Sequence, residues 1–188
     1  MPLDIRPADA FSIPDLAALF GSDRATAGCW CMWFIIPVRA YHAAGGAGNR
    51  AAFTELATAG SHPMGLIAYQ DRAPVGWCAV GPRSRYVRAI RTPSYAGRDP
   101  AEDEGVWLIP CLFLKRDARK AGHSEQLVRA ASGLARERGA TAVEAFPLTT
   151  AKRRTADTQV GFEPVFTRCG FAALRRPSDS RVVMRLEF

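Results

Sequence analysis

The chain has 188 residues, 48% of them apolar and 23% charged, which suits one globular domain and excludes wholesale disorder. No run of about 18 apolar residues is there to span a bilayer, and Met1-Pro2-Leu3-Asp4-Ile5-Arg6 lacks the basic-then-apolar order of a secretory leader. The five cysteines therefore read as reduced thiols in a cytoplasm, and the net charge of +7 admits an anionic partner without choosing among nucleic acid, membrane surface and a phosphorylated cofactor.

Residues 3–7 predict a short strand, and Ser12 to Phe20 a helix with Ser12 as its N-cap and Pro14 in the first turn. Cys29-Trp30-Cys31-Met32-Trp33-Phe34 is apolar without a clean period. Gly45-Gly46-Ala47-Gly48 predicts a loop, and 49–59 a second helix ending before Gly60. Met64 to Gln70 and Pro74 to Val80 predict two strands joined by a hairpin turn at Asp71-Arg72. The Pro-, Gly- and Arg-rich stretch 81–104 is a long connection of the kind that often carries function. Val106 to Leu114 is a strand. Leu127, Val128, Ala131, Leu134 and Ala135 then form one stripe of an amphipathic helix, and Gly139 stands where a left-handed cap is wanted. A strand at 141–146, a basic loop at 147–160 holding Lys152-Arg153-Arg154, a short helix running to Gly170-Phe171, and strands near 171–175 and 182–187 complete a single domain over 1–188.

Between the strand 106–114 and the helix after it lie Lys115, Arg116, Arg119, Lys120 and Gly122. Strand, basic loop with glycine, then helix is a recipe for holding phosphate. The first helical turn exposes unpaired N–H groups and the positive end of the macrodipole, and a glycine lets an anion approach closely. Neither a P-loop nor a G-x-G-x-x-G is present, which argues against nucleotide hydrolysis and dinucleotide binding. The absence of aromatic-basic interleaving argues against nucleic acid.

Arg119-Lys120-Ala121-Gly122-His123-Ser124 resembles the Gln/Arg-x-x-Gly-x-Gly/Ala signature of the GNAT superfamily of acyl-CoA N-acyltransferases, and Cys169-Gly170-Phe171 resembles the close of that family's last helix. The resemblance implies an α/β fold with a mixed, mostly antiparallel central sheet of about six to seven strands flanked by about four helices. It implies acetyl-CoA as cosubstrate, in a cleft where the strands 106–114 and 141–146 splay apart. Pantetheine would pair with backbone groups of Leu112, Phe113 and Leu114. Pyrophosphate would sit on the N–H groups of Arg119, Lys120, Ala121, Gly122, His123 and Ser124. Pro110 fits either a break in regular pairing or an ordinary strand end. The implied activity is direct acetyl transfer to a primary amine of a small molecule, with a homodimer allowed; the alternative is a catalytically weak or inactive acyl-CoA-binding module.

A typical alkylammonium has a pKa near ~10, so a base must take a proton before attack. Where many family members place a catalytic glutamate and tyrosine, this chain has Ile109 and Phe166. Glu144, which interrupts the apolar strand Ala142-Val143-Glu144-Ala145-Phe146, is the candidate base; it could instead sit on a solvated face or be held by an arginine such as Arg153. Asp103 and Glu104 are weaker alternatives, and Cys111, Cys169 and Tyr86 are conceivable acids. Trp30 and Trp33, with Tyr86, are the candidate acceptor-binding residues, on the view that two tryptophans could stack a ring or hold a cation. Arg83, Arg85, Arg88 and Arg91 could meet the cofactor's 3′-phosphate or an acidic acceptor. Cys29, Cys31 and His42 lack a second ligand pair, so no metal site is expected.

Overall fold

The computed structural model describes residues 3–21, 23–149 and 155–188. Its centre is a seven-stranded sheet in the order β1-β2-β3-β4-β5-β7-β6. The strands are β1 (Asp4–Pro7), β2 (Gly65–Gln70), β3 (Ala73–Pro82), β4 (Val106–Leu114), β5 (Ala142–Ala145), β6 (Ala172–Ser178) and β7 (Arg181–Glu187). Every neighbouring pair is antiparallel except β4 with β5, which is parallel. The helices are α1 (Ile13–Gly21), the one-turn α2 (Arg24–Ala27), α3 (Val38–Ala59), α4 (His123–Glu137) and α5 (Glu163–Arg168).

Alternation along the strands sorts the core into two faces. Leu108, Cys111, Phe113, Phe146 and Val183 join residues of α1 and α3 on one side. Trp107, Ile109, Val143, Ala145 and Met184 join residues of α4 and α5 on the other. The stripe expected of α4 is buried there: Leu127, Val128, Ala131 and Ala135 are all at 0% exposure. The helix ends in a Schellman cap, with Gly139 at φ 81°, its N–H donating to Arg136 O at 3.0 Å and that of Ala140 to Ala135 O at 3.0 Å. The β2–β3 turn is also as expected. Asp71 and Arg72 both have positive φ, 50° and 67°, the signature of a hairpin turn matched to strand twist.

Three local expectations are corrected. Ser12 is not the N-cap: Asp9 is, in a capping box where Ser12 N–H donates to Asp9 Oδ1 at 3.0 Å and Asp9 N–H to Ser12 Oγ at 3.2 Å. Residues 45–48 are not a loop, because α3 starts at Val38 and only Gly45 leaves helical geometry, at φ 59°. The strand expected to end at Val80 runs on to Pro82, and the connection after it winds through short 3-10 turns that bury Tyr86, Ala89 and Tyr95 against the α1 and α3 face. Lys152, Arg153 and Arg154 lie outside the described residues.

Two features prepare the site. Between Ala79/Cys111 and Gly81/Leu108 the β3–β4 register shifts, so β4 bulges at Ile109-Pro110, where a proline cannot donate to the ladder. Beside it, β4 and β5 pair only over Val106–Ile109 and Ala142–Ala145. Beyond Ile109, β4 runs on to Leu114 while β5 has ended. The chain returns past this free edge at Gly161, whose hypothetical Cβ would stand 3.0 Å from the Leu112 side chain.

Candidate functional site

The outer half of β4 presents a free backbone edge. Lys115 N–H donates to Val75 O at 2.9 Å, and Phe113 is paired with Trp77. By ladder alternation, Phe113 turns its backbone to β3 while Leu112 and Leu114 turn theirs outward. Phe113 therefore meets the cleft through its side chain, a correction to the expected backbone role. It helps line a cavity of about 530 Å³ with Asp23, Lys115, Arg116 and Asp117. The Leu114 carbonyl already accepts Arg119 Nε at 2.9 Å, which leaves the Leu112 groups and the Leu114 N–H on the open edge.

After β4, a 3-10 turn at Arg116–Ala118 leads to Lys120 at φ 68° and Gly122 at φ 75°, the N-cap of α4. Two left-handed residues so close together turn successive amides to one side, as in an anion nest. None of the backbone N–H groups from Lys120 through Ser124 donates a hydrogen bond among the described residues. Nothing lies within 4 Å of a Cβ built on Gly122, so the concavity is open. His123 is part of its frame rather than its lining: the ring is 5% exposed, and Nδ1 donates to Ala118 O at 2.9 Å, pinning the loop to the helix. The His123 side chain is thus turned into the protein, while its N–H remains in the nest as expected of it.

Glu144 lies on the α1 and α3 face, one residue before the strands part, at 1% exposure. Its oxygens are both engaged, Oε2 by Arg83 Nη1 at 3.1 Å and Oε1 by Arg185 Nη1 at 3.3 Å. It is a buried counter-ion, not a free base. Arg83, itself 1% exposed, also donates through Nε to Asp103 Oδ1 at 2.6 Å and through Nη2 to Asp99 O at 2.8 Å. Burial pushes the Asp103 carboxyl up, but hydrogen bonds from Arg98 and Arg83 outweigh it and hold that group below its ordinary value. A hydrogen bond from Arg185 does the same for Glu102. The sequence candidates Arg83, Glu144 and Asp103 are thus brought together, in an ion-pair network that fastens the 83–104 connection to the sheet. Glu104 is exposed, outside it.

The remaining candidates scatter. Ile109 and Phe166 are packed in the α4 and α5 core at 1% and 0% exposure. Trp30, at 5% exposure, is wedged edge-on against Phe20 with centroids 5.3 Å apart, and Tyr86 is 1% exposed, so both are core and neither lines an acceptor wall. Trp33 is half-buried, with the Arg88 guanidinium 3.4 Å over its ring and Tyr41 edge-on at 5.1 Å. Cys111 is buried beside the bulge, and Cys169 lies across the sheet against Glu125 O. Cys31 Sγ accepts Trp77 Nε1 at 2.9 Å. Among the described residues no group of three or more His, Cys, Asp or Glu is placed to hold a metal ion.

No family model matches the chain, and no curated protein matches it in sequence. Solved structures do. A PaiA N-acetyltransferase from Thermoplasma acidophilum, in complex with coenzyme A, is similar over 100% of both chains with a TM-score of 0.58 at 11% identity. A ribosomal-protein-alanine N-acetyltransferase from Brucella melitensis covers 99% of this chain and 100% of its own at TM-score 0.58 and 16% identity. An acetyltransferase of the GNAT family from Streptococcus pneumoniae covers 100% and 99% at TM-score 0.57 and 11% identity. The chain has the GNAT fold. Within that fold the splay between β4 and β5, the bulge at Ile109-Pro110 and the open nest at the start of α4 lie along one path. None of the described helices is long and apolar enough to cross a membrane.

Proposed function

We propose that this chain is an acetyl-CoA-dependent N-acetyltransferase that moves an acetyl group directly to a primary amine of a small molecule in the cytoplasm. The observation that carries the reading is the open run of N–H donors from Lys120 through Ser124, at the foot of a strand edge with no partner strand beyond Ile109. Backbone amides at a helix start, backed by Arg119 and Lys120, suit a diphosphate. An extended pantetheine would add to the edge at Leu112 and the Leu114 N–H. The Phe113 side chain and the chain at Gly161 would close the cleft walls, and Lys115 and Arg116 would face its charged end. The thioester supplies the electrophilic carbonyl; what this chain supplies is orientation and amide donors. The bulge at Ile109-Pro110 frees backbone groups from the ladder where an oxyanion would want them. Trp33 is the remaining candidate for the acceptor wall.

Titration of the purified chain with coenzyme A in a calorimeter tests the cradle, and a panel of amines with acetyl-CoA, read by released thiol, tests the transfer. Heat with coenzyme A and thiol release with an amine are the expected results; no heat from coenzyme A overturns the reading. The second reading, an acyl-CoA-binding module of little or no activity, is favoured by one fact. Glu144, the carboxylate nearest the splay on β5, has both oxygens tied to arginines. Binding without thiol release from any amine in the panel would select it.

A further inference from the structure

The ion-pair network borders a second cavity, of about 360 Å³, across β5, β7 and β6. That volume falls in the range of small-molecule sites. Its floor is Arg83, Glu144 and Arg185, with side chains 1%, 2% and 16% exposed. These charges are spoken for. Arg83 is shared between Glu144 and Asp103, and Arg185 Nη1 and Nη2 reach Glu102 at 3.0 and 3.1 Å. Arg98, also at the cavity, is spent on Asp103.

Two charged groups of the lining are not spent. Arg175 donates Nε to Ser94 O at 2.8 Å and lies 5.5 Å from the Tyr95 ring centre, but no carboxylate pairs with it among the described residues. Asp99 accepts the Ala101 N–H at 2.9 Å, and no cation pairs with its carboxylate among the described residues. Leu174, 52% exposed, supplies an apolar side to the mouth.

A guanidinium fork suits a carboxylate, and a carboxylate suits an ammonium. We infer that this cavity binds a zwitterionic amino compound of amino-acid type, its carboxylate on Arg175, its ammonium on Asp99 and its side chain against Leu174. The lining of this cavity shares no residue with the cleft at Phe113, Lys115 and Arg116 or with the nest at Lys120 to Ser124, so the inference does not rest on the acetyltransferase reading.

The test is ligand-observed NMR and calorimetry on the full chain with L-leucine, alongside 4-methylpentanoate and 3-methylbutylamine, which carry one charge each on matched carbon skeletons. Leucine is expected to bind about tenfold or more tightly than either analogue. Asp99→Asn, which keeps an acceptor for the Ala101 N–H, and Arg175→Ala are each expected to weaken leucine about tenfold. Circular dichroism checks that the variants are folded; if Arg175→Ala loosens the chain, Asp99→Asn decides alone. No leucine binding at millimolar concentration, equal binding of a single-charge analogue, or leucine affinity untouched by Asp99→Asn overturns the inference.

Discussion

The turn between β4 and α4 and the connection 83–104 are both rich in arginine or lysine, and they use their donors in opposite ways. In the turn, the N–H groups from Lys120 through Ser124 reach no acceptor among the described residues, and a Cβ on Gly122 would meet nothing within 4 Å. In the connection, Arg83 directs Nε, Nη1 and Nη2 at Asp103, Glu144 and the Asp99 carbonyl, at 1% exposure. Donors left open define a place for a ligand; donors closed on partners define a fastening. Basic composition alone does not tell the two apart, and the backbone does: left-handed residues at Lys120 and Gly122 aim amides outward, whereas the 3-10 turns of 83–104 fold side chains inward.

The largest effect should come from filling the open donor set. Gly122→Val forces a β-branched residue into φ 75°, a strain of about 1–2 kcal/mol, and places a side chain where the diphosphate would sit. With no neighbour for its Cβ to strike, the variant should fold, with a small drop in melting temperature. Coenzyme A affinity should fall at least about a hundredfold, roughly 2.7 kcal/mol. Calorimetry giving the same dissociation constant as the parent chain would break the comparison at its open end.

The closed end breaks differently. Replacing Arg83 by Met leaves the buried Glu144 with Arg185 as its one remaining partner and should cost up to about 3–5 kcal/mol in urea unfolding, because removing one partner of a buried ion pair leaves its charge under-compensated. Adding Glu144→Leu should restore part of that, since an apolar pair of similar volume often costs little. A double variant as unstable as the single would mean that Asp103, not Glu144, is the partner that matters.

How much of this could be read in the sequence follows from the same contrast. β4 was legible from Val106 to Leu114 because nine residues of strand-favouring side chains end at a basic, glycine-containing loop, and the structure has those bounds. α4 and its cap were legible because helical period and Gly139 are local signals. Glu144 was legible as an anomaly in an apolar strand but not in its role: its partners are 61 and 41 residues away in sequence, Arg83 and Arg185, and only the sheet order brings them together. Trp30 and Trp33 look alike in sequence, yet one is core and the other half-exposed, because that non-periodic segment carries no face to read. Ser12 was displaced as cap by Asp9 because a 3-10 turn precedes α1.

A smaller effect is expected from acid. Asp103 and Glu102 are held below their ordinary values by arginine partners, so their contribution to stability is full above the unfolded carboxylate range, about pH 4, and is lost as pH falls through the lower folded values. The melting temperature should therefore drop steeply below pH 4, and Asp103→Asn should be less stable at neutral pH but show a shallower decline. Parallel melting curves for the two proteins would remove Asp103 from the fastening.

The smallest effect separates the two regions where they meet. Trp33 belongs to the segment before α3 and is covered by Arg88 from the 83–104 connection at 3.4 Å, with Arg88 Nη1 also donating to the Trp33 carbonyl at 3.0 Å. A cation over a half-buried indole is worth about 1 kcal/mol, so Trp33→Ala should shift stability by about that plus some lost packing, and Trp33→Phe by less. If this ring is part of the acceptor wall, Trp33→Ala should raise KM for the amine severalfold while kcat and coenzyme A affinity stay near the parent values, because an interaction made equally in ground and transition states affects binding alone. Trp33→Phe should recover most of the loss, since a ring face is retained. An unchanged KM alongside a lower melting temperature would instead assign Trp33 to the fastening, as a lid beneath Arg88 rather than a contact for the acceptor.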